Sequence, residues 1–397
     1  AMAMSATLDS LRPMSPPATD TGPDDTVAPR GRLALTVGPV LYHWPRTALL
    51  QFYAELADSP ADTLVLGEVV CARRRELKLA DWLALARELA QAGKDVVLAA
   101  QAMVETEADV RQIEHLAEQG QPFSSAEQGQ PFGLAEQGQP FSSAEQGQPF
   151  SSAEQGQPDA LGKQAAGSPQ AAPRARLGDA AGFAVEAADA SALHLLAGRV
   201  PLVLGPHLNI YSRPALVEHA DLGATRWVAP VELSLDAIAA VNPPTDRVRT
   251  PDGQPIETEA WVFGRVPLSF SARCFTARHH GLAKDQCEYR CLADGDGLPM
   301  QTSDGRPFLV LNGTQTQSAA VQCLLADGAA LRASGIARLR LSPCAHGFGQ
   351  VLRDFDAVMN HGAPPYPALA HWPALGVPLP LANGYARRQP GISWEDR

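Results

Sequence analysis

The chain has 397 residues, 45% of them hydrophobic and 19% charged, with 33 Gly and 34 Pro: enough apolar material for a large core, and too much Gly and Pro for the whole length to fold. Lys and Arg number 32 against 43 Asp and Glu, a formal net charge of -11, which argues against a nucleic-acid or anionic-membrane binder because both need basic surface. No long apolar run and no basic-then-apolar start occurs, so a cytoplasmic protein without an integral membrane segment is expected.

Residues 1–31 are rich in Pro, Thr, Asp and Ser without hydrophobic period, which predicts a disordered tail. Residues 32–397 then read as one α/β domain. Short apolar or β-branched runs predict strands at Leu33–Val37, Thr63–Leu66 and Asp95–Ala99. Apolar residues at three- and four-residue intervals predict helices between and after them, at Arg46–Ala57, Leu79–Ala92 and Glu105–Leu116. Gly93 stands where a helix C′ glycine belongs.

Ala-Glu-Gln-Gly-Gln-Pro then starts at Ala117, Ala126, Ala135, Ala144 and Ala153, a nine-residue repeat with a proline in every unit. It lacks the Gly-Gly-x-Gly-x-Asp pattern of metal-binding β-helices. Residues 119–178 are therefore expected to be a low-complexity insertion that interrupts the domain.

Beyond it the alternation resumes. Strands are predicted at Gly182–Val185, Pro201–Leu204, Arg226–Ala229, Glu259–Phe263 and Arg338–Leu341, and helices at Asp189–Leu196, Arg213–Ala220 and Leu235–Val241. The last helix stops at Asn242-Pro243-Pro244. Eight strand–helix units in about 300 residues fit a closed (β/α)8 barrel of the TIM type, possible distortion included. An open doubly wound sheet is the alternative, without a Gly-x-Gly-x-x-Gly turn to support it.

Six cysteines, Cys71, Cys274, Cys287, Cys291, Cys323 and Cys344, are too few for a disulfide scaffold in a chain of this size. Three of them cluster with the spacing Cys274-x12-Cys287-x3-Cys291 after the seventh predicted strand, and Cys71 follows the second. In a barrel both loops open at the C-terminal mouth, where such folds keep their chemistry. Structural zinc and an iron–sulfur cluster both use four thiolates. Zinc motifs more often bring their cysteines in two close pairs, whereas Cys71 comes from some 200 positions away, which weights the spacing towards a cluster.

Separated segments then carry a resemblance. Thr-Val-Gly-Pro-Val-Leu-Tyr-His-Trp-Pro (36–45), Leu-Gly-Glu-Val-Val-Cys (66–71), Pro-Val-Glu-Leu-Ser (230–234), Ser-Ala-Arg-Cys-Phe-Thr-Ala-Arg (271–278), Val-Leu-Asn-Gly-Thr-Gln-Thr (310–316) and Asn-Gly-Tyr (383–385) together resemble the collagenase-like peptidase family, in its branch serving ubiquinone synthesis. The resemblance spans the chain from about residue 33 to about residue 390, outside the repeats. It implies a [4Fe-4S] cluster on Cys71, Cys274, Cys287 and Cys291. It also implies a heterodimer with a UbiU homologue, a UbiT-like lipid-binding partner, and a role in oxygen-independent hydroxylation of a ubiquinone precursor. Despite the family's name a peptidase is not expected, since His-Glu-x-x-His and Gly-x-Ser-x-Gly are both missing and no nucleophile–base pair is visible. A zinc-stabilised, non-catalytic barrel acting as an interaction module is the alternative.

Arg73, Arg74 and Arg75, with Arg273 and Arg278, place cations beside the cysteines, where they raise a cluster's potential or bind an acidic group; solvated surface arginines are the equal alternative. Glu68, Glu232 and Arg273 are the candidates for catalysis, the two glutamates because they follow strands; helix-start acids that meet the dipole are the plainer reading. Asn209 and Tyr211 are weaker candidates of the same kind. His279 and His280 read as solvated loop residues rather than ligands. Cys323, in the apolar run Ala319–Leu325 that predicts helix, reads as a buried small hydrophobe, and Cys344 as a mouth residue without a ligand neighbour.

Overall fold

In a computed structural model that describes residues 31–119 and 182–396, all eight predicted strand runs form strands. They are Ala34–Val37 (β1), Thr63–Leu66 (β2), Asp95–Ala99 (β3), Ala184–Ala187 (β4), Leu202–Leu204 (β5), Ala224–Val228 (β6), Glu257–Phe270 (β7) and, after three further strands, Arg338–Leu341 (β11). Each pairs in parallel with the next, β1 pairs with β11, and β11 pairs with β7. That last pairing closes the barrel and removes the open-sheet alternative: an open sheet would leave two long apolar edges unpaired. Residues 1–30 of the expected tail and 120–178 of the repeats lie outside the described residues.

Alternation along each strand sorts the side chains. Leu35, Leu64, Leu66, Val96, Leu98, Val185, Leu204, Trp227, Val262 and Leu339 join the buried layer under the helices. Val65, Val97, Ala99, Ala184, Val203, Val228 and Trp261 form a second cluster, contributed by the alternate positions that face the barrel axis. Charged residues fill the remaining interior positions. Arg340 on β11 reaches both Glu186 on β4 (2.9 Å and 2.5 Å) and Glu259 on β7 (2.5 Å). Below them, Arg226 approaches Glu257 and Asp95, and Arg338 holds Glu257 at 2.7 Å.

The helices fall close to their expected places: Arg46–Ala57 (α1), Leu79–Gln91 (α2), Glu107–Gln119 (α3), Ala190–Leu196 (α4), Arg213–Asp221 (α5) and Leu235–Val241 (α6). Asp189, Ser212 and Ser234 cap the last three, each accepting a backbone N–H from the first turn, as N-cap residues do. Gly93 takes φ +87° after α2, the left-handed conformation that a C′ position needs. Helix α3 runs into Ala117–Gln119, the first residues of the first repeat; Ala117 is buried in the core, which explains why the helix outlasts its expected end.

The region between β7 and β11 departs from a plain barrel. β7 continues past the barrel rim and pairs antiparallel with Gln315–Cys323 (β10), which pairs with Pro307–Asn312 (β9), itself paired with Leu298–Gln301 (β8). Cys323 therefore ends a strand, not a helix. The run Ala319–Leu325 is too short to tell the two apart by period, and the free edge of β7 supplies backbone partners that only a strand can use. The β9–β10 turn is Gly313-Thr314, flanked by the paired Asn312 and Gln315, with Gly313 at φ +63°, a glycine at the first loop position as two-residue hairpins favour. Gly328–Ala333 (α8) leads back to β11. Phe348–His361 (α9) and Pro365–His371 (α10) complete the shell, followed by Leu381–Ala382 (β12) alongside β10. Trp372, fully buried, packs on Phe263 and Phe355 and donates to Asp354 at 2.7 Å, fixing this C-terminal segment.

Candidate metal centre and barrel mouth

Cys71 leaves the end of β2 in a tight turn closed by the Arg74 N–H on the Cys71 carbonyl. Cys274 follows β7 and starts the short helix Phe275–His279 (α7), its sulfur accepting the Ala277 N–H at 3.4 Å. Cys287 and Cys291 follow in a loop whose intervening Glu288 and Tyr289 both take positive φ, 49° and 52°. Two consecutive non-glycine residues in that region cost of order 1 kcal/mol each, and such strain gathers at functional sites. All four thiols are free, and all four line one small pocket together with Arg73, Arg74, Thr276, Lys284, Tyr289 and Gly313. Among the described residues no group of three or more His, Cys, Asp or Glu side chains is arranged to hold a single metal ion.

The pocket is held from several sides. Arg74, buried, donates to the Leu41 carbonyl and to Asn312 Oδ1, both at 2.7 Å, and lies 3.7 Å from Glu68. Glu68 accepts the N–H groups of Val70 and Cys71 at 3.0 Å and 3.1 Å. The structure thus places Glu68 as the brace of the Cys71 turn. Burial pushes its carboxyl up, against the pull of Arg74. Arg73 donates to the Asp285 carbonyl, and Lys284 pairs with Glu105, tying the cysteine loop to the barrel. Phe275 N–H donates to the Gly313 carbonyl at 2.7 Å, so the hairpin turn forms the pocket's far wall. A Cβ on Gly313 would stand 2.8 Å from the Arg74 guanidinium.

One neighbour was not visible in the sequence. His43, from the loop after β1, places Nδ1 3.4 Å from the Cys291 sulfur, while its Nε2 stands 3.4 Å from Glu76. The pair is 248 positions apart, and only the Tyr-His-Trp segment next to a strand end hinted at it. Thiol, imidazole and carboxylate in a row resemble a nucleophile relay. Burial, however, pushes the Cys291 thiol up, and burial followed by Arg74 pulls His43 down, the reverse of the thiolate–imidazolium pair that activates a cysteine.

The other candidates are spread apart. Arg75, Arg273, Arg278, His279 and His280 are exposed, the two histidines edge to face at 5.1 Å and away from the thiol pocket. Cys323 is buried on β10 and pushed up to about 12 by that burial; Cys344 is buried and donates to the His346 carbonyl. Glu232 and Asn209 line a second cleft at the mouth. Tyr211 donates to Glu232 at 2.8 Å.

Comparison with known proteins gives a family match over part of the chain: residues 174–342 match the model of Peptidase family U32. This span includes β4 to β11 and three of the four pocket cysteines. Among solved structures, the U32 peptidase Mk0906 is 9% identical, with 83% of this chain and 99% of that chain covered and a TM-score of 0.37. Burkholderia cenocepacia dihydropteroate synthase in complex with 7,8-dihydropteroate is 13% identical, with 86% and 91% covered and a TM-score of 0.32. Among the described residues no helix is long and apolar enough to cross a membrane.

Proposed function

We propose that the chain is a [4Fe-4S]-carrying subunit of the UbiV type, working with a UbiU homologue as a heterodimer and with a UbiT-like lipid-binding protein in oxygen-independent hydroxylation of a ubiquinone precursor. The observation that carries this reading is the ring of Cys71, Cys274, Cys287 and Cys291 around one pocket, drawn from two loops at one mouth of the barrel. A [4Fe-4S] cluster takes one thiolate on each of four irons and suits cysteines from separated segments, whereas structural zinc more often draws its cysteines in two close pairs. Buried Arg74 offsets the negative charge that four thiolates bring, and Ala277 N–H already points at the Cys274 sulfur. The cluster would supply electrons one at a time. The chain's own residues hold the thiolates, exclude water and set the local charge.

Anaerobic purification with iron, sulfide and zinc analysis and an absorption spectrum tests this. Wild type is expected to carry roughly four iron and four sulfide per chain with a broad band around 400 nm, and Cys287→Ala to lose both. One zinc per chain and no colour would instead mean a zinc-stabilised interaction module, and proteolysis that survives Cys274→Ala would mean a peptidase. A second expectation concerns His43. With its proton on Nδ1 it donates to Cys291, so His43→Phe should keep the iron and lower the midpoint potential by on the order of 40 mV, one hydrogen bond of about 1 kcal/mol in a one-electron couple. An unchanged potential would remove His43 from the site.

A further inference from the structure

The barrel mouth holds a second cleft, distinct in its lining from the thiol pocket. It has a volume of about 260 Å³ and is walled by Pro206, His207, Asn209, Val231, Glu232 and the β7 extension Pro267–Phe270, with Ala102 at its side. These residues follow β3, β5, β6 and the barrel part of β7, the strand ends from which barrels build ligand sites.

We propose that this cleft binds a small ring-bearing ligand that offers a hydrogen-bond donor and carries no negative charge. Two prolines, Val231 and Phe270 supply the cleft's apolar part, the Phe270 ring meeting His207 edge to face at 4.8 Å, while polar groups make up more of its accessible lining. The volume of about 260 Å³ leaves room for a single ring in a cleft that is partly open to solvent. The polar groups are acceptors or neutral. Glu232, which accepts from Tyr211 through one carboxylate oxygen, and Asn209 are among the lining residues, and neither Lys nor Arg lines the wall. The His207 ring has no hydrogen-bond partner among the described residues. Burial, helped by Arg340 beneath it, pulls His207 down to about 4. At neutral pH its imidazole is uncharged and presents one donor and one acceptor. An anion would meet a carboxylate with no cation to answer it, whereas a phenol or a protonated aromatic amine finds an acceptor at Glu232 and a slot for its ring. The proposal does not depend on what the thiols hold.

Titration of the full chain with phenol, benzylamine and benzoate, followed by ligand-observed NMR, tests it. Phenol or benzylamine should bind at least tenfold more tightly than benzoate, phenol reporting a neutral hydroxyl ligand and benzylamine a cationic one. Leu268, 48% exposed at the rim, can be enlarged without disturbing the core, and Leu268→Trp should weaken the bound probe at least tenfold. Glu232→Gln, which keeps the shape, should narrow the preference over benzoate severalfold. Benzoate binding as tightly as the other two, no binding of any probe at millimolar concentration, or binding indifferent to both substitutions would overturn the proposal.

Discussion

Arg340→Met is expected to lose about 3–5 kcal/mol of stability at neutral pH, the usual cost of removing one partner from a buried ion pair, and so to melt on the order of 10 °C lower. Arg340 is 1% exposed, and its planar fork takes both oxygens of Glu186 and one of Glu259. Methionine fills similar volume but leaves two carboxylates inside the barrel with Arg226, 3.6 Å from Glu259, and the weaker pull of Arg338 as remaining counter-charge. The pH dependence has a definite sign. Burial alone would push the Glu259 carboxyl up, but Arg340 and Arg226 hold it below its ordinary range. A depressed carboxylate contributes stability above its unfolded pKa and loses it as the pH falls through the folded value. In the variant the main counter-charge is gone, Glu259 binds its proton more readily when folded, and acid favours the folded form relative to wild type. The gap between wild type and variant should therefore narrow from pH 7 to pH 5, as measured by denaturant melts at both. Adding Glu186→Gln and Glu259→Gln to the variant should recover most of the loss. A gap that stays constant with pH would mean that packing, not charge, dominates at Arg340.

Arg74→Met should cost about 3 kcal/mol and, in anaerobically purified protein, reduce metal content with it. One side chain here joins three segments that meet only in the folded state: the loop after β1 through Leu41, the Cys71 turn through Glu68, and the hairpin through Asn312. Methionine leaves the half-buried Glu68 without the cation 3.7 Å away and removes two charge-assisted hydrogen bonds. Arg74→Lys keeps the charge but reaches fewer acceptors at once, because an ammonium lacks the guanidinium fork. It should regain the Glu68 interaction and less than half of the stability. Urea melts and metal analysis on the three proteins check this together. Full recovery by lysine would reduce Arg74 to a point charge.

Much of the frame was legible without coordinates. The eight strand runs and six of the helices announce themselves by period, because burial against a helix layer or a barrel axis imposes the same alternation wherever the chain meets it. The Cys274, Cys287 and Cys291 spacing was legible too, since local loops bring near neighbours together in any fold. The antiparallel extension was less so: the pair Asn312-Gly313 reads as a hairpin signal, although the turn itself is Gly313-Thr314, and Ala319–Leu325 is equally apolar as helix or strand. His43 beside Cys291, Arg74 between Leu41 and Asn312, and the Glu186–Arg340–Glu259 network join residues from about 30 to about 250 positions apart.

The sequence by itself determined the alternation of strands and helices, hence a (β/α)8 arrangement, and the residue types available for a four-thiol site. Whether the sheet closed, which loop faced which, and which cations lay next to the thiols were decided only in three dimensions. Periodicity reports the face a side chain turns to the core. It carries no information on the partner across that core, which depends on strand register and on the pairing of β11 with β7.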